Sequence, residues 1–190
     1  MKEFFTSQPL EMLFEHPIAY LQFISILIRS GKAQAMKDGV LRLNELEAHY
    51  KQAPDIPPKR RDRVLAEASV IRIFAVFNDI GRMKNAVAEA SRLFGGGQTC
   101  LVRQDGEFTF GSPHFLYSYY REPGKLRETA GLIAAEFPAF QKISSGCGTG
   151  CDYLATAEYS LAVGDWPAAE LNAFKAIYKA NAKRQTSVFP

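Results

Sequence analysis

Apolar residues recur at helical spacing along almost the whole chain, and small or polar turns interrupt them at a near-constant interval. The run Ile18 to Arg29 is apolar nearly all round, which predicts a central helix covered by neighbours on several sides. Before it, the chain reads as the tail of one helix plus a short helix around Leu10 to Phe14, with His16-Pro17 opening the next. After Ser30-Gly31-Lys32 a partner helix runs from about Ala33 to Lys51, with Val40, Leu41, Leu43, Leu46 and Tyr50 at helical spacing and Lys, Arg and Glu opposite. The segment Ala53-Pro-Asp-Ile-Pro-Pro58 breaks that helix, because proline removes a donor and biases its predecessor away from helical angles. A helix from about Pro58 to Phe77 follows, Asn78-Asp79 turns it, and Gly81 to Phe94 forms an antiparallel partner.

Gly95-Gly96-Gly97 ends helical order. The stretch Thr99 to Phe110 predicts two short strands around Gln104-Asp105-Gly106, since Asp-Gly favours the positive φ of a tight hairpin turn. Ser112 as N-cap and Pro113 at the first helical position predict a third helix pair, about Pro113 to Arg121 and Leu126 to Ile143. Thr149 followed three residues later by Asp152 has the form of a capping box, so a fourth pair is expected from there to about Ala182 or Lys183, turning at Gly164-Asp165-Trp166. The turns centred on Gly31, Asn78, Gly124 and Gly164 stand 47, 46 and 40 residues apart. A period of this size marks stacked helix pairs, each unable to bury its apolar face alone. The expected fold is therefore all-α, a right-handed α-α superhelix with a small β-hairpin inserted near residues 99–110, and residues 1–190 are expected to form a single domain.

The last unit, from Tyr159 to Ala176, resembles a tetratricopeptide repeat. Ala169 and Ala176 sit five and twelve residues beyond Gly164, where small side chains let two antiparallel helices approach closely. Phe174, Ile177 and Tyr178 are expected to fill the space toward a neighbouring pair. The other units match in part, with Met36 and Leu43, Met83 and Ala90, and Thr129 and Glu136 at the corresponding places.

A wider resemblance rests on Phe77-Asn-Asp-Ile80, Phe108-Thr-Phe-Gly-Ser-Pro113, Leu116-Tyr-Ser-Tyr-Tyr-Arg-Glu122, Gly146-Cys-Gly-Thr-Gly-Cys-Asp-Tyr-Leu154 and the tetratricopeptide-like unit, in that order, with Pro9 to Pro17 ahead of them. Together they resemble the helical middle region of LuxR-type, MalT-like transcriptional regulators, over nearly the whole chain. The resemblance implies a sensor or interaction domain, a fragment of a larger cytoplasmic regulator, that binds a small-molecule inducer or a protein partner. Nucleotide-binding and DNA-binding modules would lie elsewhere in such a regulator. The family tends to carry histidine where this chain has Cys147, so a ligand contact there would be altered. The competing reading is a free-standing tetratricopeptide-like scaffold for protein–protein interaction.

Composition narrows the chemistry. With 190 residues, 47% of them hydrophobic, the chain can bury a continuous core. A net charge of +3 from 23 basic and 20 acidic residues demands neither nucleic acid nor an anionic membrane. The longest apolar run is interrupted by Gln22 and Ser25 and falls far short of the roughly 20 residues needed to cross a bilayer. Three cysteines without a secretory leader suit a reducing cytoplasm. No Gly-x-x-x-x-Gly-Lys-Ser/Thr phosphate loop is present, since Gly124-Lys125 lacks the upstream glycine and the hydroxyl residue. Cys147 and Cys151 with His114 make one loose ligand pair where structural zinc wants four ligands, so no metal and no cofactor are expected. Lys59-Arg-Arg-Asp-Arg63 reads as a solvated helix surface. His16, His49 and His114 have no sequence-evident acid or nucleophile partner, so no catalytic residue is assigned and no enzyme is expected. The aromatic supply around the third and fourth pairs points to recognition instead, with Tyr117, Tyr120, Arg121, Tyr153 and Trp166 the candidate contacts. The i, i+4 spacing of Tyr117 and Arg121 predicts that they share one face of the expected helix.

Overall fold

The computed structural model describes residues 2–105 and 114–185, which contain nine α-helices, a single 3-10 turn and no strand. The α-helices are α1 (Lys2–Ser7), α2 (Leu10–Glu15), α3 (Pro17–Arg29), α4 (Ala33–Gln52), α5 (Pro58–Ala75), α6 (Ile80–Phe94), α7 (Leu126–Ile143), α8 (Cys151–Ala162) and α9 (Trp166–Ala182), and the 3-10 turn is Leu116–Ser118. They cluster into two compact units. The first holds the residues up to Phe77 with Asn85–Leu101, and the second holds Asn78–Lys84 with the residues from Val102 onward, so α6 is shared between them.

In the first unit α3 is the centre. It packs against α1, α2, α4 and α5, and Tyr20, Leu21, Phe23, Ile24, Leu27 and Ile28 are all buried. Its nearly uniform apolar surface thus finds neighbours on several sides, as its composition requires. Gly39 of α4 makes one of these contacts possible. A Cβ there would lie 2.8 Å from Ile28 Cγ1 and 3.3 Å from the Ile24 carbonyl oxygen. Helix α5 packs on both α3 and α4, and Arg72 Nη2 ties it to α4 by donating to Glu47 Oε1 at 2.8 Å and Asn44 Oδ1 at 2.9 Å. The end of α6 returns to the start of α5, where the Arg63 guanidinium lies 5.1 Å from the Phe94 ring centre.

In the second unit α8 packs between α7 and α9. Ala155 and Ala157 of α8, and Ala169, Ala176 and Ala180 of α9, are buried, so the α8–α9 hairpin closes on small side chains. Gly150, at φ +101°, precedes α8, and a Cβ on it would stand 2.7 Å from the Ala176 carbonyl oxygen. Asp165 caps α9 by accepting from the Ala168 N–H at 3.1 Å. Gln185, fully buried, accepts from the Gly148 N–H at 2.8 Å and donates to the Gln104 carbonyl.

Three local expectations are corrected. The described half of the 99–110 hairpin, residues 99–105, is a run of bends and turns and not a strand, while residues 106–110 lie outside the described residues. Here Glu67 intervenes: its buried carboxylate accepts from Thr99 Oγ1 and from the Cys100 N–H, the latter a backbone donor that a strand partner would have used. The helix expected over Pro113 to Arg121 is reduced to the 3-10 turn, with Ser112 and Pro113 outside the described residues. There the carboxylate of Glu158 receives the Phe115 N–H at 2.8 Å and the Leu116 N–H, and Arg121 folds back onto the Ser118 and Tyr120 carbonyls. Glu158 thus caps the start of the turn, and Arg121 takes the Ser118 carbonyl that a longer helix would use. Finally, Thr149 does not cap α8. Its hydroxyl donates to the Gly146 carbonyl at 2.6 Å, and Asp152 instead accepts from Gln141 Nε2 at 3.2 Å and faces Lys179 at 3.9 Å.

Candidate functional site

Helix α9 carries two apolar faces. Ala169, Ala176 and Ala180 fall on one side and are buried against the rest of the second unit. At about 100° per residue, Pro167, Leu171, Phe174 and Tyr178 fall on the other, spaced by four, three and four residues. This second ridge is open: Phe174 is 63% and Tyr178 78% exposed, with Leu171 and Ile177 also exposed. Trp166 at the start of α9 is 67% exposed, and Leu161 and Val163 at the end of α8 are exposed as well. The expected packing of Phe174, Ile177 and Tyr178 against a neighbouring pair therefore has no counterpart among the described residues. Scattered surface hydrophobics are ordinary, but seven large exposed ones fall within Leu161–Tyr178, and three of them, Leu171, Phe174 and Tyr178, share one face of α9.

Tyr117, Tyr120 and Arg121 are brought together at the 3-10 turn. Tyr117 is exposed and stands edge-on to Tyr120, ring centres 6.1 Å apart, and to His114 at 5.8 Å. The Tyr120 hydroxyl accepts from the Gly124 N–H at 3.1 Å. In the amide orientation that satisfies both partners, Asn78 donates to the Ser118 carbonyl at 2.8 Å and accepts from Arg121 Nη2 at 2.9 Å. The Arg121 guanidinium is thus occupied in closing the turn, and the i, i+4 face expected for Tyr117 and Arg121 gives way to this local clasp. Burial holds the Glu158 carboxyl above its ordinary pKa, and the two backbone N–H groups it accepts pull in the opposite direction.

Tyr153 sits apart from this cluster, on α8 beneath the cations of α9, with Lys179 Nζ 4.4 Å and Lys175 Nζ 5.7 Å from its ring centre. Trp166 falls about 100° round α9 from the ridge, on the flank that carries Ile177. Cys147 and Cys151 are buried thiols, and burial pushes the Cys151 thiol far up. Among the described residues no group of three or more His, Cys, Asp or Glu side chains is placed to hold a metal ion.

In the first unit the basic run Lys59–Arg63 edges a surface groove of about 800 Å³ floored by Leu93 and Phe94. Its cations are largely engaged within the fold. Arg63 pairs with buried Glu67 at 2.8 Å, Arg60 donates to the Glu15 carbonyl at 3.2 Å, and Arg61 stands 3.7 Å from Asp62. Glu67 is a residue that composition alone does not reveal as buried. Its signal is a lone acid inside Leu65-Ala-Glu-Ala-Ser-Val-Ile71, four residues after an arginine.

Among the described residues no helix is long and apolar enough to cross a membrane. No family model, curated protein or solved structure matches the chain.

Proposed function

We propose that this chain is the sensor or interaction segment of a LuxR-type, MalT-like transcriptional regulator, in which helix pairs such as α3–α4, α5–α6 and α8–α9 act as repeats of a tetratricopeptide-like superhelix. The regulator assignment rests on the order of motifs from Phe77 to Ala176 in the sequence. The recognition role rests on one observation above all, the open apolar ridge of α9 with Trp166 beside it. Docking of a partner there removes from water large side chains that otherwise stay exposed, and the aromatic content suits an interface. A ligand or partner that binds one arrangement of the helices better than another shifts their populations, which a neighbouring module can then read.

Trp166 is the only tryptophan, so its emission reports on the exposed flank of α9 next to the ridge. The test titrates candidate inducers (sugars, amino acids, nucleotides) and partner helices while following Trp166 emission and thermal stability together. A binder should shift the emission to shorter wavelength and raise the melting temperature by mass action. A chain whose Trp166 environment and stability respond to no small molecule and no protein would refute the recognition role.

A further inference from the structure

We infer that the groove of the first unit, between the start of α5 and the end of α6, binds a small amphipathic acid, a carboxylate carried on an aryl or medium-length alkyl body. The site uses no residue of α9, so it stands apart from the ridge to which the recognition role is assigned. Leu93 and Phe94 floor the groove, and Lys59, Arg60, Asp62 and Arg63 edge it. Its volume of about 800 Å³ lies within the range of small-ligand sites. The floor is held before any ligand arrives, because the Arg63 guanidinium lies 5.1 Å from the Phe94 ring centre while it pairs with buried Glu67 at 2.8 Å. An apolar body that settles on a floor already in place binds with little cost in ordering the protein.

Charge decides which apolar molecules fit. The charge of Arg63 is met by Glu67, and that of Asp62, the acid on this rim, by Arg61 at 3.7 Å. Arg60 donates to the neutral carbonyl of Glu15 at 3.2 Å, which leaves its charge uncompensated. Lys59 is exposed and forms no ion pair among the described residues. Two cations therefore remain on the rim of an apolar groove. The same rim holds the N-terminus of α5, where no side chain caps the helix and the first turn carries no acid, so the positive end of the helix dipole adds to them. An anionic head at Lys59 and Arg60 with an apolar body on Leu93 and Phe94 satisfies both halves of the site. A neutral molecule satisfies one, and a cation is repelled.

The experiment titrates the whole chain by ligand-observed NMR with phenylbutyrate, and with phenylbutanol, phenylbutylamine and butyrate to probe each half of the site. Phenylbutyrate is expected to bind with a Kd of about 1 mM or tighter. The alcohol should bind at least about threefold more weakly, and the amine and butyrate more weakly still. Lys59→Glu should weaken phenylbutyrate at least about fivefold and leave phenylbutanol within about a factor of two. An acid near the start of a helix favours folding, so that loss is not one of unfolding. Leu93→Asn should instead weaken acid and alcohol alike, with the far-ultraviolet helical signal unchanged. No phenylbutyrate binding at about 10 mM overturns the inference, as do equal affinities for the acid and the amine, or an affinity for the acid that Lys59→Glu does not change. Trp166 emission in the same samples separates this site from the recognition reading. Binding that answers to Lys59→Glu with Trp166 unmoved is the expected result; binding that shifts Trp166 and ignores Lys59→Glu places the acid on α9 and overturns the groove alone.

Discussion

Replacing Gly150 by alanine tests the claim that α8 and α9 are held at small-residue distance. Two costs combine at this position. A side chain at φ +101° is strained by about 1–2 kcal/mol, and the new Cβ, 2.7 Å from the Ala176 carbonyl oxygen, must push backbone aside. Overpacking of that kind costs about 1–3 kcal/mol, for a total of about 2–5 kcal/mol. Gly164 supplies the control. It also has positive φ, +80°, but nothing lies within 4 Å of the point a Cβ would occupy there, so Gly164→Ala carries the strain without the collision. The gain in unfolded-state rigidity on replacing glycine is common to both and cancels in the comparison. Urea unfolding followed by circular dichroism should place Gly150→Ala about 1–3 kcal/mol below Gly164→Ala at a shared slope. Equal losses within a few tenths of a kcal/mol would mean that the backbone at Ala176 does not approach Gly150 this closely, and the tight hairpin would be abandoned.

Other outcomes follow from the same geometry. Gly39→Ala should destabilise the first unit by about 1–2 kcal/mol, the collision with Ile28 and the Ile24 carbonyl outweighing the better helix propensity; a stabilised variant in thermal unfolding would disprove the close α3–α4 approach. Cys100 is the exposed thiol, and its pKa is raised by burial first and by the Glu67 carboxylate next, so Glu67→Gln should lower the pH midpoint of its alkylation, and an unchanged or higher midpoint would contradict the contact. Glu158 has its folded pKa raised above the ordinary carboxyl value by burial. The fold therefore favours the protonated form, and the associated stability is present below the ordinary carboxyl range and lost as pH rises through the raised value. Glu158→Gln should flatten that fall in a pH series of urea midpoints, and a slope identical to the parent's would refute it.

The turns of the fold were legible because their punctuation is local. Gly31, Gly124 and Gly164, and Asn78 among the non-glycines, all adopt positive φ, and Pro57-Pro58 fixes the start of α5. Such residues announce a turn whatever surrounds them. The failures came where a distant side chain decided a local matter. Asp105-Gly106 carries a strong hairpin preference, yet the preceding residues are held by Glu67, 32 residues away from Thr99 in sequence. Likewise the turn at Leu116–Ser118 goes no further, because the Ser118 carbonyl that a continuing helix would use accepts from Arg121 and from Asn78, far off in the sequence. Local propensity cannot see partners at that separation, and a satisfied buried carboxylate outweighs it. Of the candidate contacts, the cluster Tyr117, Tyr120 and Arg121 was legible as an aromatic-rich run, whereas the use of Arg121 to clasp the turn was not, since that depends on Asn78.

The open ridge of α9 was the hardest to read, because core stripes and interface stripes have the same periodicity. Only burial separates them. Helix α3 is the useful comparison, since it is apolar nearly all round and α1, α2, α4 and α5 pack against it. Helix α9 is apolar on two opposite sides, and one is packed while the other is bare. A helix patterned for two layers but packed against one is under-covered by its own unit, so a second layer must come from another surface if those side chains are to leave water. The alanine side fixes how α9 sits in its hairpin, and the aromatic side fixes what the hairpin can hold. Substituting the bare side should therefore change association while leaving the unit folded, and substituting the alanines should do the reverse. A variant such as Ala176→Leu that unfolds the hairpin, set beside Phe174→Glu that spares it, would separate the two faces in a single pair of melting curves. Comparable losses of melting temperature in both would show that Phe174 is part of the core after all.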